Sequence, residues 1–65
     1  MKSNLCDIEV IYQTETERAY CIREDERSES TWLPKSECEI DGALERGMAV
    51  TLTAPEWLLL EKGLI

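Results

Sequence analysis

Apolar and polar residues alternate with a period of two in two separate segments, and this pattern constrains the fold most strongly. The segments are residues 5–12, which contain Ile8 and Val10, and residues 48–52, which contain Val50. Because successive side chains of a strand point to opposite faces, each segment predicts a half-buried β-strand. The polar residues 13–17 predict a turn after the first of these strands.

Three shorter segments extend the β pattern between the two. Residues 18–23 predict a second strand, residues 31–33 a third and residues 38–41 a further short one. The stretch 24–30 has no apolar residue, which predicts an exposed hairpin tip. Pro34 is expected to end the third strand because proline has no N–H to donate to a neighbouring strand.

The C-terminal residues predict one short helix with a signal at each end. Thr53 followed by Glu56 matches a capping box, in which the Thr53 side chain caps the helix. The apolar run 57–60 forms the helix body. Gly63 fits the left-handed position after a helix, and Leu64 could then contact the last turn. A helix this short must pack on the sheet to be stable.

Together these segments predict a single domain over residues 1–65. The fold class is α+β and mainly β: a small antiparallel four- to five-stranded meander or partly open barrel with one short C-terminal helix. There is no apolar segment typical of a signal peptide, and the longest apolar run is four residues, whereas a membrane span needs about 20. We therefore expect a cytoplasmic protein that makes no membrane contact.

The charge and residue types limit the classes of function. The chain has 14 Asp and Glu against 7 Lys and Arg, a formal net charge of −7, and no His. Binding to a phosphate backbone needs clustered cations, so the charge disfavours nucleic-acid binding. The absence of His removes the usual general base and the commonest metal ligand. We predict no catalytic residues, no cofactor and no metal, and therefore no enzymatic activity.

The cysteines do not form a recognisable motif. Cys6, Cys21 and Cys38 are odd in number and include no pair separated by two residues. This argues against a disulfide framework and against a zinc site. They are interpreted as small apolar residues on strands.

Acidic residues are concentrated at the predicted hairpin tip, at Glu24, Asp25, Glu26 and Glu29. Such a surface repels nucleic acid and attracts basic proteins. Two interpretations remain open. The carboxylates either mimic the phosphates of nucleic acid, or they form a solvated face that keeps a small protein soluble.

The helix supplies a second candidate surface. Four successive apolar residues reach most of the way round a helix, so Trp57 and Leu58 are assigned to a contact with a partner. The end of the chain could dock on its own sheet. Alternatively, it could form a homodimer in which residues 48–52 act as an edge strand and pair across a two-fold axis.

Residues 31–36 and 55–65 together resemble small proteins of phages and prophages. In that group a charged turn, a Trp-(Ile or Leu)-Pro-Lys-Ser corner and a C-terminal Pro-Glu-Trp-Leu…Glu-Lys-Gly-Leu segment recur in this order. The resemblance implies a genomic setting and a fold, and no specific activity. It also draws attention to a corner at Lys35 and Ser36. That corner is either structural, with Ser36 bonded to nearby backbone, or a contact site.

The leading hypothesis is a non-enzymatic, acidic protein-binding module, a phage or prophage accessory protein that engages an unknown protein partner through the tip and the helix. The first alternative is a nucleic-acid mimic that inhibits a host enzyme of DNA or RNA handling or of defence. The second alternative is an accessory factor that binds nucleic acid, which the net charge of −7 disfavours.

Overall fold

The computed structural model describes residues 4–65 as an open five-stranded antiparallel sheet with one short C-terminal helix. This confirms the predicted fold class. The sheet order is β3-β2-β1-β5-β4. The elements are β1 (Leu5–Glu15), β2 (Ala19–Arg23), β3 (Thr31–Pro34), a 3₁₀ turn (Lys35–Glu37), β4 (Glu39–Asp41), β5 (Ala49–Pro55) and α1 (Glu56–Glu61).

The central strand β1 serves two partners along its length. Its first part, from Leu5 to Ile11, pairs with β5, and its second part, from Ile11 to Glu15, pairs with β2. Ile11 is the one residue of β1 that the register pairs on both sides, with Ala49 of β5 and Arg23 of β2. The sheet therefore consists of two three-stranded halves that share β1. The turn predicted over 13–17 was placed too early, because β1 continues through Glu15.

A β-bulge interrupts the pairing of β1 with β2. Tyr12 pairs with Ile22, whereas Thr14 pairs with the adjacent Cys21, so Gln13 is an extra residue in β1. Gln13 is buried, and its side-chain amide donates to the Tyr12 carbonyl at 3.2 Å. One inserted residue reverses the alternation of side chains that follows it. After the bulge, the side chains of β1 therefore lie on the face opposite to the one that strict alternation predicts. Glu15, for example, lies on the same face as Tyr12 and bonds to it.

The hydrophobic core lies on one face of the sheet, under α1. The helix packs against β5. Residues of the strands and residues of the C-terminal segment belong to the same apolar cluster. Val10, Tyr12, Ile22, Leu33, Cys38, Val50, Leu52, Ala54, Leu58, Leu59 and Leu64 form this core.

The start of α1 differs from the predicted capping box. Thr53 remains in β5, and its hydroxyl donates to the Asp7 carboxylate on β1 at 2.6 Å. Pro55 pairs with Leu5 and occupies the N-cap position, so no side chain caps this helix among the residues described. Pairing with β1 keeps this stretch extended for two residues beyond Thr53, and this ladder takes precedence over the local capping signal.

The end of α1 is as predicted. Gly63 has a φ of +74°, in the left-handed region. The Leu64 N–H donates to the Leu59 carbonyl at 2.8 Å, and the Gly63 N–H donates to the Leu60 carbonyl at 3.1 Å. This is the bonding pattern of a Schellman motif. Leu64 is buried with Leu59 in the core, which supplies the expected apolar contact.

The edges of the sheet are β3 and β4. The prediction that residues 48–52 form an edge strand is wrong, because β5 lies between β1 and β4. Homodimer formation by pairing of that strand is therefore not possible in this fold. The real edges are short, at four and three residues, and β4 carries Glu39 and Asp41 beside Ile40. Short and charged edges discourage pairing with another chain.

Pro34 is the last residue of β3, so the strand ends there, as expected. The Lys35 N–H donates to the Arg18 carbonyl at 2.8 Å, so those two residues form a hydrogen-bonded pair. Ala19 and Pro34 are the neighbouring pair, and its members are then not hydrogen-bonded to each other. The backbone groups of Pro34 therefore point away from β2. The missing N–H of Pro34 leaves the β2–β3 ladder intact and removes a donor from the free edge.

Candidate protein-binding surface

The acidic tip between β2 and β3 is organised around Asp25. Its carboxylate accepts hydrogen bonds from the Arg27 N–H at 2.8 Å, the Ser28 N–H at 2.9 Å and the Ser28 hydroxyl at 3.0 Å. These bonds, the one from Arg27 foremost, lower the pKa of Asp25. All three bonds go to Oδ1, so Asp25 shapes the turn through one oxygen while Oδ2 accepts no hydrogen bond from the described residues. Its assignment as a contact residue stays a prediction.

The other three predicted tip residues, Glu24, Glu26 and Glu29, are exposed. The Glu26 backbone carbonyl accepts a hydrogen bond from the Arg23 guanidinium at 3.3 Å. None of the three carboxylates forms an ion pair within residues 4–65. They are free to interact with a basic group, and equally suited to face water.

The corner at Lys35 is tied to the sheet by a polar network. The Lys35 ammonium lies 2.6 Å from one carboxylate oxygen of Glu15, and the other oxygen accepts the Tyr12 hydroxyl at 2.5 Å. The same ammonium lies 5.0 Å from the centre of the Tyr20 ring. The β-bulge places Glu15 on the face of Tyr12 although the two are three residues apart. Lys35 is thus a structural residue, and its predicted role as a contact is not supported by this geometry.

This network shifts the pKa values of Glu15 and Tyr12 in opposite directions. Hydrogen bonds from Lys35 and then Tyr12 lower the pKa of the Glu15 carboxyl. The hydrogen bond to Glu15, followed by desolvation, raises the pKa of Tyr12 to about 12. At neutral pH Glu15 is therefore a carboxylate and Tyr12 a neutral phenol, which are the forms that their hydrogen bond requires.

Ser36, the other predicted residue of the corner, is exposed. Its hydroxyl forms no hydrogen bond with any residue in the described part of the chain, so the proposed bond to nearby backbone is not present there. Together with Leu5, Thr53 and the rest of residues 35–39, it lines a shallow open cavity of about 200 Å³. The one ammonium in this lining, that of Lys35, is already paired with Glu15.

The three cysteines are free. Cys21 and Cys38 are buried, and Cys6 is half-buried. The Cys38 thiol donates to the Pro34 carbonyl at 3.2 Å, and burial raises its pKa. It is therefore a protonated, packed side chain at neutral pH. Across residues 4–65 no group of three or more Cys, Asp or Glu side chains is arranged to hold a metal ion.

The helix separates its four apolar residues into two pairs. Leu58 and Leu59 are 3% and 0% exposed, whereas Trp57 and Leu60 are 55% and 57% exposed. Residues three apart in a helix are neighbours on its surface, so Trp57 and Leu60 form one apolar patch. The assignment of Leu58 to a partner contact is wrong, because it belongs to the core. Leu60 takes its place beside Trp57, which remains a candidate.

The open face of the sheet carries a second feature, two rows of carboxylates. The register places Thr53 between Asp7 and Glu39, and Thr51 between Glu9 and Asp41. Successive side chains on one face lie about 6.8 Å apart along a strand, and strands separated by one other lie about 9.6 Å apart. All four carboxylates are exposed. Sequence reasoning missed this array because it depends on β1 and β4 flanking the same strand.

Comparison with family models, with curated proteins and with solved structures finds no match to this chain. Among the residues that the structure describes, no helix has the length and apolar character needed to cross a bilayer. The function is therefore inferred from the chain's own surface.

Proposed function

We propose that this chain is a non-enzymatic protein-binding module whose contact surface is the exposed side of α1. The observation that carries the proposal is the pair Trp57 and Leu60, more than half exposed on a helix whose other two apolar residues are buried. Tryptophan is enriched among the residues that dominate protein interfaces, because it buries a large apolar area at small entropic cost.

At the other candidate surfaces, key side chains are already bonded within the fold, and this supports the assignment to α1. At the corner, Lys35 is paired with Glu15, and at the tip Asp25 holds its own turn. Both sheet edges are short, and Pro34 removes a donor from β3. Addition of a partner strand is therefore disfavoured. Among the described residues, α1 is the one element with two large apolar side chains that are each more than half exposed.

We further propose that the chain is an accessory protein of phage or prophage type that acts in the cytoplasm. Residues 31–36 and 55–65 resemble such proteins, and the second of these segments is the one that builds α1. A contact made by a helix of this size is suited to a transient complex, since such complexes bury less than about 1,200 Å² in total.

The proposal is tested by comparing three forms of the protein in affinity capture from a lysate of the source organism. Proteins held by the wild type should fall about tenfold with Trp57→Ala/Leu60→Ala, as expected for loss of interface anchors. Leu44→Ala is the matched control, since Leu44 is 45% exposed and lies outside α1. An identical set of captured proteins for all three forms would contradict the proposal.

The carboxylate rows favour a second candidate, a nucleic-acid mimic that inhibits a host enzyme of DNA or RNA handling or of defence. Glu9 and Asp41 lie in the same row of the open face. If this alternative holds, capture of a nucleic-acid-handling enzyme should be lost with Glu9→Gln/Asp41→Asn and kept with Trp57→Ala/Leu60→Ala. Its binding should also weaken steeply between 50 and 200 mM salt, by analogy with phosphate contacts.

A further inference from the structure

We infer that the partner of α1 presents an apolar groove bordered by Lys or Arg side chains, one set on each side. This inference rests on the proposed function and adds the chemistry of the partner. Its basis is the position of Glu56 and Glu61, both exposed, at the two ends of the helix. Each lies beside one member of the apolar pair.

The helical spacing places the two glutamates on the same side as the apolar pair. Glu56 lies four residues before Leu60, and Glu61 lies four residues after Trp57, so each is a surface neighbour of that residue. At 3.6 residues per turn, the order round the helix is Glu56, Leu60, Trp57 and Glu61, within an arc of about 140°. The apolar pair is therefore enclosed between two carboxylates.

The charge that α1 itself contributes to this side is purely negative. Residues 56–61 contain no cation, and Lys62, the C-cap residue, lies about 100° further round the axis than Glu61. A second copy of this chain, with its net charge of −7, would bring glutamates against the same glutamates. Like charges facing each other disfavour association. A groove with a cationic rim has the complementary charge, and a helix laid in an apolar groove is an established mode of recognition.

Photo-crosslinking in the source organism tests the inference. The residue p-benzoylphenylalanine is placed at position 60, so that Trp57 remains as an anchor, and the crosslinked peptide of the partner is identified by mass spectrometry. That peptide should contain Lys or Arg. The yield of the crosslink should fall about tenfold when Glu56→Lys/Glu61→Lys is added, because two attractive rim contacts become repulsive.

The matched control is Glu24→Lys/Glu26→Lys, which changes the net charge by the same amount at exposed residues of the tip. This control should leave the crosslink unchanged, and circular dichroism should show that both charge variants are folded. An equal loss in both variants, no loss in either, or a crosslink to a second copy would overturn the basic-rim inference. A crosslink at position 60 no stronger than one at position 44 would instead overturn the proposed function.

Discussion

The corner at Lys35 and the exposed side of α1 are both conspicuous in the sequence, yet they differ in what their side chains have left to offer. At the corner, Lys35, Glu15 and Tyr12 satisfy one another's hydrogen bonds. On α1, Trp57 and Leu60 remain more than half exposed. At the corner, charged residues that look available in the sequence are thus used within the fold, whereas on α1 two of the four apolar residues remain available for a partner.

The largest expected effect on the free energy of unfolding comes from Leu59 of α1, and its neighbour Leu60 should have almost none. Leu59→Ala removes a fully buried side chain and should lower the free energy of unfolding by about 2–5 kcal/mol, which is comparable to the whole stability expected of so small a core. Leu60→Ala should change it by less than about 0.5 kcal/mol. Urea titration followed by circular dichroism measures both. Equal destabilisation would show that the helix is turned differently.

The next effect concerns the end of the helix. Gly63→Ala should lower the free energy of unfolding by about 1 kcal/mol, because a φ of +74° is strained for alanine. Gly63→Asn should lose less, since asparagine tolerates this region better. Thermal unfolding of both variants measures these losses. Crowding does not contribute, because no described atom outside the two chain neighbours lies within 4 Å of a Cβ added at this position. Equal losses would contradict the strain explanation.

The corner should make stability depend on pH at both extremes. The lowered pKa of Glu15 means that its contribution is present above its ordinary pKa and is lost as the pH falls through the lowered value. The pKa of Tyr12, raised from 10.0 to about 12, means that its contribution is full below pH 10 and is lost as the pH rises through about 12.

Urea unfolding across the pH range tests this network against two variants. Tyr12→Phe should remove the alkaline part of the dependence that Tyr12 causes, and Lys35→Met should weaken the acidic part, because Lys35 is the main cause of the shift at Glu15. A Tyr12→Phe profile that keeps the full decline between pH 10 and 12 would contradict the assignment.

The smallest effect lies at the tip. Asp25→Ala should leave global stability nearly unchanged, because Asp25 bonds only within its own exposed turn. The amides of Arg27 and Ser28 should exchange with solvent faster, as measured by NMR. Glu26→Ala is the control and should leave both rates as they are. Slower or unchanged exchange in Asp25→Ala would show that the turn is held by other contacts.

The fold was predictable where a local pattern carries the information. Alternation around Val10 and Val50 identified two strands, and Gly63 with Leu64 identified the helix end, because these signals depend on neighbours in sequence. The bulge at Gln13 was not predictable, since an extra residue in a polar stretch has no distinct signature. Its position is set by the pairing of β1 with β2.

The site was predictable only in part. The run 57–60 marks α1 as a source of contact residues, but four consecutive apolar residues define no stripe. The sequence therefore does not distinguish Leu58, which is buried, from Leu60, which is exposed. The orientation of α1 follows from docking on β5, which continues to Pro55. The same extension of β5 is the reason why Thr53 bonds to Asp7 instead of capping the helix.

The most direct test of the central claim is a side-by-side capture experiment with Trp57→Ala/Leu60→Ala and Lys35→Met/Ser36→Ala, using a lysate of the source organism and quantitative mass spectrometry. We predict that proteins bound by the wild type are lost from the helix variant and kept by the corner variant. Retention by the helix variant together with loss from the corner variant would contradict the account and place the binding surface at the corner.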